Sequence, residues 1–573
     1  MKKNVLALSI AAMIGGLGLA GVASAEVIVG TGTGGMTTSD ATELRISDAG
    51  VGHNLLVPYF NAQNGNMSVF HVVNTDTVNG KAVKVRFRSA SNSDDILDFQ
   101  VFLSPGDVWT AAVTAGANGV AQITTADNSC TVPALQKNVA RSFVTDRLNP
   151  TILPEDKANQ TREGYVELFN MADIPPTTSG TETAPDLYYA IKHKSGVAPC
   201  SVAGSASRTL LNSRAITNHF DEAATRALGF DTPTSGLLGD WYIINVPQTT
   251  TFSGAATSVV ALDDAGVSAR GNFVHFPQTA APFVSNTATR TVDFFTADPL
   301  FRTDAQVANG TSYAPGSGAA TLRASNYDLP DMSTPYATQN FANTAPLAQA
   351  NLLTSALAAT SVTNQYATDA VISAKTDWVF SMPTRRYSVV ANYAASGTAP
   401  NGQSVVGINA PNYRLFSVLA GGTDTAEWFR PNNTSIDSRG NICVAADATG
   451  SFFRDREEGP DQAGEEPVFS PGTPSAPTRF SFCGETSVLS FADAGSSVLA
   501  GNVARQNLTS GIAENGWGLI STVNGGPGLP ILGSAFIKLT NPDVGNGVSG
   551  NFGITWPHRF TRALAPAAVT PTP

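Results

Sequence analysis

The sequence predicts a mainly β protein: two sandwich-like lobes of antiparallel strands with a few short helices. Three observations carry that expectation. Apolar residues recur with period two between Met67 and Val113. Val83, Val85 and Phe87 alternate with Lys84, Arg86 and Arg88, and Leu97, Phe99, Val101 and Leu103 repeat the pattern around Asp98 and Gln100. Successive side chains of a strand point to opposite faces, so this spacing marks strands with one buried face. Turn residues punctuate the runs at Asn79-Gly80 and Ser104-Pro105-Gly106-Asp107, where Gly and Asn accept positive φ and Pro presets its own. The stretch therefore reads as an antiparallel meander. Finally, the chain has 573 residues, more than one hydrophobic core usually serves.

Taken in order, Met1 to Ala25 reads as a secretory signal peptide. Lys2 and Lys3 form its basic start, Val5 to Val22 its apolar stretch, and Ala23-Ser24-Ala25 its cleavage site. Gly30, Gly32 and Gly35 match the GxGxxG spacing, but MTTSDATELRISD follows without the amphipathic helix that dinucleotide binding needs. The first lobe is expected over residues 26–262. Its strands continue at Gly164 to Phe169, Leu187 to His193, Trp241 to Val246 and Ala256 to Leu262. Helices are expected at Pro133 to Phe143 and at Asn218 to Phe230, the second with Asn218 as cap and Gly229 as stop. Asp146 to Arg162 reads as loop. The second lobe is expected over residues 263–564, with a helix at Leu347 to Ala359 behind Pro346. Its strands fall at Thr376 to Val390, Arg479 to Phe491, Trp517 to Val523, Ile531 to Leu539 and Asn551 to Trp556. Residues 565–573 read as a disordered tail.

Charged residues are 14% of the chain, with 45 acidic against 34 basic, below the roughly 25% usual for soluble domains. An acidic chain without a basic run repels nucleic acid. No stretch beyond the signal is long and apolar enough for a transmembrane helix. The four cysteines, Cys130, Cys200, Cys443 and Cys483, allow three pairings. Sequence proximity favours Cys130–Cys200 and Cys443–Cys483, one disulfide per lobe, and export permits both.

Several segments together resemble a family of exported, cell-surface-type β-rich proteins of Gram-negative bacteria to which no activity is assigned. They are VNTDTVNGKAVKVRFR with DFQVFLSPGDVWTA, then GYVELFNM, the Cys200 region after IKH, GLLGDWYIINV, TDWVFSMPTRR, RDREE and GLPILGSAFIK. The resemblance implies export and a β-rich architecture, and it confers no catalytic role on any residue.

Chemistry-bearing motifs are sparse. There is no GxSxG elbow, HExxH, phosphate-binding loop or EF-hand loop. The six histidines lie far apart, and His71, sharing a strand face with Val69 and Val73, reads as a hydrogen-bonded core residue. Adjacent acids at Asp94-Asp95, Asp263-Asp264, Glu457-Glu458 and Glu465-Glu466 read as solvated loop charges. Asp455, Glu457 and Glu458 are the calcium candidates, because clustered loop carboxylates suit a hard cation; Arg454 and Arg456 compete for the same acids. The tryptophans Trp109, Trp241, Trp378, Trp428, Trp517 and Trp556 could stack on sugars, although strand positions favour core packing. No catalytic residue and no cofactor is expected. The sequence points to an exported, non-enzymatic structural protein of the cell surface or extracellular space, with the periplasm as another location. It would assemble into a layer or fibre with copies of itself or with other envelope components. The alternative is an exported carbohydrate-binding protein or hydrolase.

Overall fold

The computed structural model describes residues 26–27, 41–275, 321–322, 346–417, 428–456 and 481–562, with short interruptions inside these ranges. The signal segment, the glycines at 30–35, Asn218, Glu457, Glu458, Glu465, Glu466 and the 565–573 tail lie outside the described residues. Strands dominate the fold, as expected.

In the N-terminal half a seven-stranded sheet faces a six-stranded one. The first runs in the order Glu43–Ile46, Thr257–Leu262, Asn54–Asn61, Glu163–Ile174, Gly80–Ser89, Asp95–Leu103, Cys130–Val132. The second runs Arg141–Ser142, Ala121–Thr124, Val108–Ala115, Asn66–Asn74, Leu237–Asn245, Thr250–Ala255. All their pairings are antiparallel. Val83, Val85, Phe87, Phe99 and Val166 from one sheet interlock with Phe70, Val72, Trp109, Val113 and Trp241 from the other. Phe87 meets Phe60 and Phe70 edge-on at 5.4 and 5.5 Å, and Phe99 meets Trp109 at 5.6 Å.

The Met67–Val113 stretch is not a meander. Asn66–Asn74 pairs with Val108–Ala115 and Leu237–Asn245, whereas Gly80–Ser89 pairs with Asp95–Leu103 and Glu163–Ile174 in the opposite sheet. The chain therefore changes layer at Asn79-Gly80 and again at Ser104–Asp107. Period two marks a strand without naming its partner, and corners between layers use the same residues as hairpins. Gly80 has no room for a side chain: a Cβ there would sit 2.5 Å from Ile191 Cδ1 and 2.9 Å from Leu103 O.

A second correction concerns the polar face. Every residue of Gly80–Ser89 is buried, including Lys81, Lys84, Arg86 and Arg88. Helices Leu187–Ile191, Ala206–Ile216 and Pro346–Leu357 contribute Leu187, Leu211, Leu353 and Leu357 to an apolar cluster with Ala82, Phe102 and Phe169 on this side of the sheet. Asp94 and Asp95, expected in solvent, are buried too. His71 is only half-buried, its Nε2 2.8 Å from the Tyr242 hydroxyl; Phe70 and Val72 are the core residues of that strand.

Helix Pro346–Leu357 starts on its proline as expected. Residues 133–143 form no helix; they hold turns and the short strand Arg141–Ser142. Pro154–Thr161 is helical where a loop was expected, with Pro at its start and Glu155 and Asp156 in its first turn. Those are ordinary start signals, hidden because the helix is short and mostly polar. In the 206–230 region the helices are Ala206–Ile216 and Glu222–Ala227. The segment Leu187 to His193, expected as strand, opens with the helix Leu187–Ile191, capped by Asp186 accepting from Tyr189 N at 2.8 Å.

In the C-terminal half a four-stranded sheet runs Asp447–Asp455, Asn515–Ser521, Ser361–Ala367, Arg559–Thr561. A five-stranded sheet runs Arg505–Leu508, Thr486–Phe491, Lys375–Ser381, Leu532–Asn541, Gly550–Pro557, with one parallel pair, between its first two strands. Val362, Tyr366, Phe453 and Ile520 of the former pack on Trp378, Phe380, Leu489 and Phe491 of the latter. The other side of the five-stranded sheet carries Val379, Val488 and Phe536 into the N-terminal core. Phe536 lies 5.5 Å from Phe252, 5.9 Å from Trp241 and 6.3 Å from Tyr59 between ring centres. One sheet thus serves two cores.

Candidate functional site

The two halves also meet through a polar seam. The turn at residues 90–94, between strands Gly80–Ser89 and Asp95–Leu103, inserts into the C-terminal half. Asn92 donates to Gly440 O at 3.0 Å and accepts from Ile442 N at 3.2 Å. Tyr393 donates its hydroxyl to Asp94 at 2.8 Å. Glu485 N donates to Ala90 O at 2.8 Å. Arg385 and Arg386, from TDWVFSMPTRR, are held in a 3-10 turn behind strand Lys375–Ser381. Arg385 Nε reaches Glu485 at 2.5 Å, and Arg386 Nη2 reaches Glu167 at 3.1 Å. Arg88 Nε meets the other Glu167 oxygen at 3.3 Å. Lys81 pairs with Asp173 at 2.9 Å, and Lys84 with Asp98. Buried charges are tolerated only when paired and hydrogen-bonded, and these are.

Burial raises the pKa of Glu163, Asp377 and Glu485 from the ordinary carboxylate value, because it disfavours the charged form. Each is sealed by protein donors. Glu163 accepts from Asn502 N at 2.7 Å, Gln63 Nε2 at 2.9 Å and Tyr59 at 3.1 Å. Asp377 accepts from Ser497 at 2.6 Å, Ser490 at 2.7 Å and Leu499 N at 2.9 Å. Glu485, besides Arg385, accepts from Arg386 N at 3.2 Å. Desolvation likewise lowers Lys84, against the pull of Asp98.

Over the seam lies a half-open groove of about 670 Å³. Its N-terminal wall is Asn149, residues 151–153 and the Pro154–Thr161 helix, presenting Asn149, Leu153, Asp156, Asn159 and Gln160. Its C-terminal wall is formed by Tyr393, Val406, Ile408, Arg439, Asn441 and Asn502. Arg439 and Asn502 also line an adjoining depression of about 460 Å³ with Gln63, Asn64, Ser497, Arg505 and Asn507. The turn at Asp437–Asn441 is fixed by Asp437, which accepts from Arg439 N at 2.9 Å and Asn441 N at 2.8 Å. Arg439 Nη1 in turn donates to the Asn502 carbonyl. Among the lining residues the one carboxylate is Asp156. Tyr393 is turned inward to Asp94, and burial holds its hydroxyl protonated far above its ordinary range.

The structure pairs Cys130 with Cys200, tying strand Cys130–Val132 to the 3-10 turn Pro199–Ser201. Cys443 pairs with Cys483, its direct opposite in neighbouring strands. Asp437 approaches both of these sulfurs, but a disulfide offers no thiolate to a metal. Asp455, the described member of the calcium trio, ends strand Asp447–Asp455, and its neighbour Arg454 lies over the Phe452 ring at 5.6 Å. Trp109, Trp241, Trp378 and Trp428 are buried; Trp517 and Trp556 are exposed. Among the described residues, Ser104, His193 and Asp107 come together. Both neighbours contact the same ring nitrogen, Nδ1, at 3.3 Å from Ser104 and 3.5 Å from Asp107. A relay needs one partner on each nitrogen, so this cluster does not form a triad.

Sequence reasoning missed the groove. Its residues come from four separated stretches, with no motif in any of them. No protein-family model, no curated protein and no solved structure matches the chain.

Proposed function

We propose that the chain is an exported, non-enzymatic structural protein of the cell surface, which assembles with copies of itself. The observation that carries this reading is where the perturbed titratable groups lie. The fully buried acids and amine that desolvation shifts, Glu163, Asp377, Glu485 and Lys84, are closed beneath the surface and bound to protein partners; of the part-buried ones, Asp107 belongs to the cluster that forms no triad and Lys538 is bonded to Gln248. Perturbed groups that open to a cleft point to catalysis; these join sheets. Two disulfides suit an oxidising compartment, and the signal-like start supports export.

Assembly is supported by an apolar strip on the edge strand Gly550–Pro557. Phe552 is 58% exposed and Trp556 41%, with Ile554 between them. Val371 and Ile372 are also exposed, and Thr540 N donates to Ile372 O at 2.9 Å, which sets them beside the strand's start. Exposed apolar area of this kind marks contact surfaces, and low surface charge opposes close packing only weakly. The test is light scattering and negative-stain microscopy of the secreted chain, with and without calcium. Ordered assemblies that Phe552→Ser with Trp556→Ser disperses are expected; a monodisperse monomer under both conditions would overturn the reading.

A further inference from the structure

We propose that the groove between the halves binds a neutral saccharide chain. This goes beyond the structural role and stands on different residues. The lining presents primary amides: Asn149, Asn159, Gln160 and Asn502 in the main groove, and Asn64 and Asn507 in the adjoining depression. A side-chain amide offers an acceptor oxygen and two donor hydrogens, which matches hydroxyl groups that both give and accept. Charge is low and balanced in the main groove, with Asp156 on one wall and Arg439, which donates to the Asn502 carbonyl, on the other; the adjoining depression adds one cation, Arg505. An anionic or cationic ligand would need a surplus of the opposite sign.

The amides are held in place. Asn149 Oδ1 accepts from Thr151 N at 3.0 Å and Thr151 Oγ1 at 2.8 Å. Asn441, buried beneath them, spends its amide on Asp437 at 2.7 Å, Val503 O at 3.3 Å and the Ser91 hydroxyl, and so fixes the floor. By contrast Gln160, half-buried in the wall, has an Oε1 turned away from solvent that accepts no protein hydrogen bond. A buried acceptor left unpaired is costly, and a turn of the Gln160 amide into the groove would let a ligand hydroxyl satisfy it. Leu153 and Val406, 59% and 71% exposed, stand on opposite lips and offer apolar contact to the C–H faces of sugar rings. The volume lies within the range of ligand sites, and the continuation past Arg439 and Asn502 suits several linked rings. Glycoside cleavage uses two carboxylates across the bond; with Asp156 the single acid of the lining, the groove binds without cutting.

The test is calorimetric titration of the secreted chain with maltohexaose, cellohexaose, chitohexaose and, as an anionic control, hexagalacturonate. At least one neutral hexasaccharide is expected to bind with a Kd below about 1 mM. Gln160→Leu and Val406→Asp should each weaken it by about tenfold or more, while Asp240→Asn, in an exposed position on the six-stranded sheet, leaves it unchanged. Val406 is so exposed that its replacement does not threaten folding, and it keeps the test decisive if Gln160→Leu misfolds. No binding by any neutral hexasaccharide, binding by hexagalacturonate alone, or binding indifferent to Val406→Asp would overturn the proposal. Loss of assembly would not, because the Phe552 and Trp556 strip lies outside the groove.

Discussion

Glu485 shows how single residues hold this fold. It is fully buried, and both of its oxygens are engaged by the Arg385–Arg386 turn. Removing it leaves Arg385 buried without its counter-ion, so Glu485→Ala is expected to cost about 3–5 kcal/mol, whereas Arg385→Met with Glu485→Leu should cost far less. Urea unfolding of the three chains checks this. Phe99→Ala, in the sandwich core against Trp109, should cost roughly 3–5 kcal/mol by the same assay. His53 carries a pH dependence. Its Nε2 donates to Ala269 O at 2.8 Å and its Nδ1 accepts from Ala261 N at 3.0 Å, a neutral ring, and desolvation lowers its pKa to about 4. A depressed folded pKa means the unfolded chain takes up the proton first as pH falls. The stability His53 contributes is complete above about 6.5 and is lost as pH falls toward about 4. At pH 5 that loss is roughly 2 kcal/mol relative to pH 8. His558, lowered to about 3, acts in the same direction, while Glu163, Asp377 and Glu485, raised by burial, act in the opposite one. Comparing wild type with His53→Gln isolates the histidine: the variant should lose less stability between pH 8 and pH 5. Little of this was legible beforehand. The alternation of Lys84, Arg86 and Arg88 with Val83, Val85 and Phe87 is the same whether the polar side meets water or distant acids such as Glu167.

At the scale of elements, what the sequence resolved well was local. The strand positions and the start of helix Pro346–Leu357 depend on neighbouring residues, and the cysteine pairing followed the shorter separations in sequence. Strand partners do not: Asn66–Asn74 and Gly80–Ser89 are five residues apart in sequence yet belong to different sheets. The candidate groove was illegible for the same reason, since Gln160, Val406, Arg439 and Asn502 meet only after both halves have folded. Disulfides act at this scale too. The Cys130–Cys200 bridge closes a span of 70 residues that includes helices Pro154–Thr161 and Leu187–Ile191. Cys443–Cys483 closes 40 residues. Loop-closure entropy assigns about 4 kcal/mol to each, slightly more to the longer. Replacing either pair by Ala and Ser should therefore lower the melting temperature, and non-reducing peptide mapping of the wild type should recover both bridges.

For the whole molecule, the decisive feature is that the halves share structure. The main sheets are built within each half, yet the cores are not separate. Val379, Val488, Leu499 and Phe536 complete the N-terminal apolar cluster, and Glu167 and Glu163 take partners from residues 386 and 502. Cutting the chain after residue 262 would expose Tyr59, Trp241 and Phe252 where Phe536 now covers them. It would also leave Glu163 and Asp94 without the donors Asn502 N and Tyr393. Each loss is worth a few kcal/mol, against a net stability of only about 5–15 kcal/mol for a typical domain. The fragment 26–262 is therefore expected to lack a cooperative thermal transition and to bind a hydrophobic dye, while the full chain loses its tertiary signal in one step. Calorimetry and near-ultraviolet circular dichroism of both proteins provide the measurement. A fragment that melts cooperatively within a few degrees of the full chain would show that the shared sheet is a contact between two self-sufficient domains and not part of a common core.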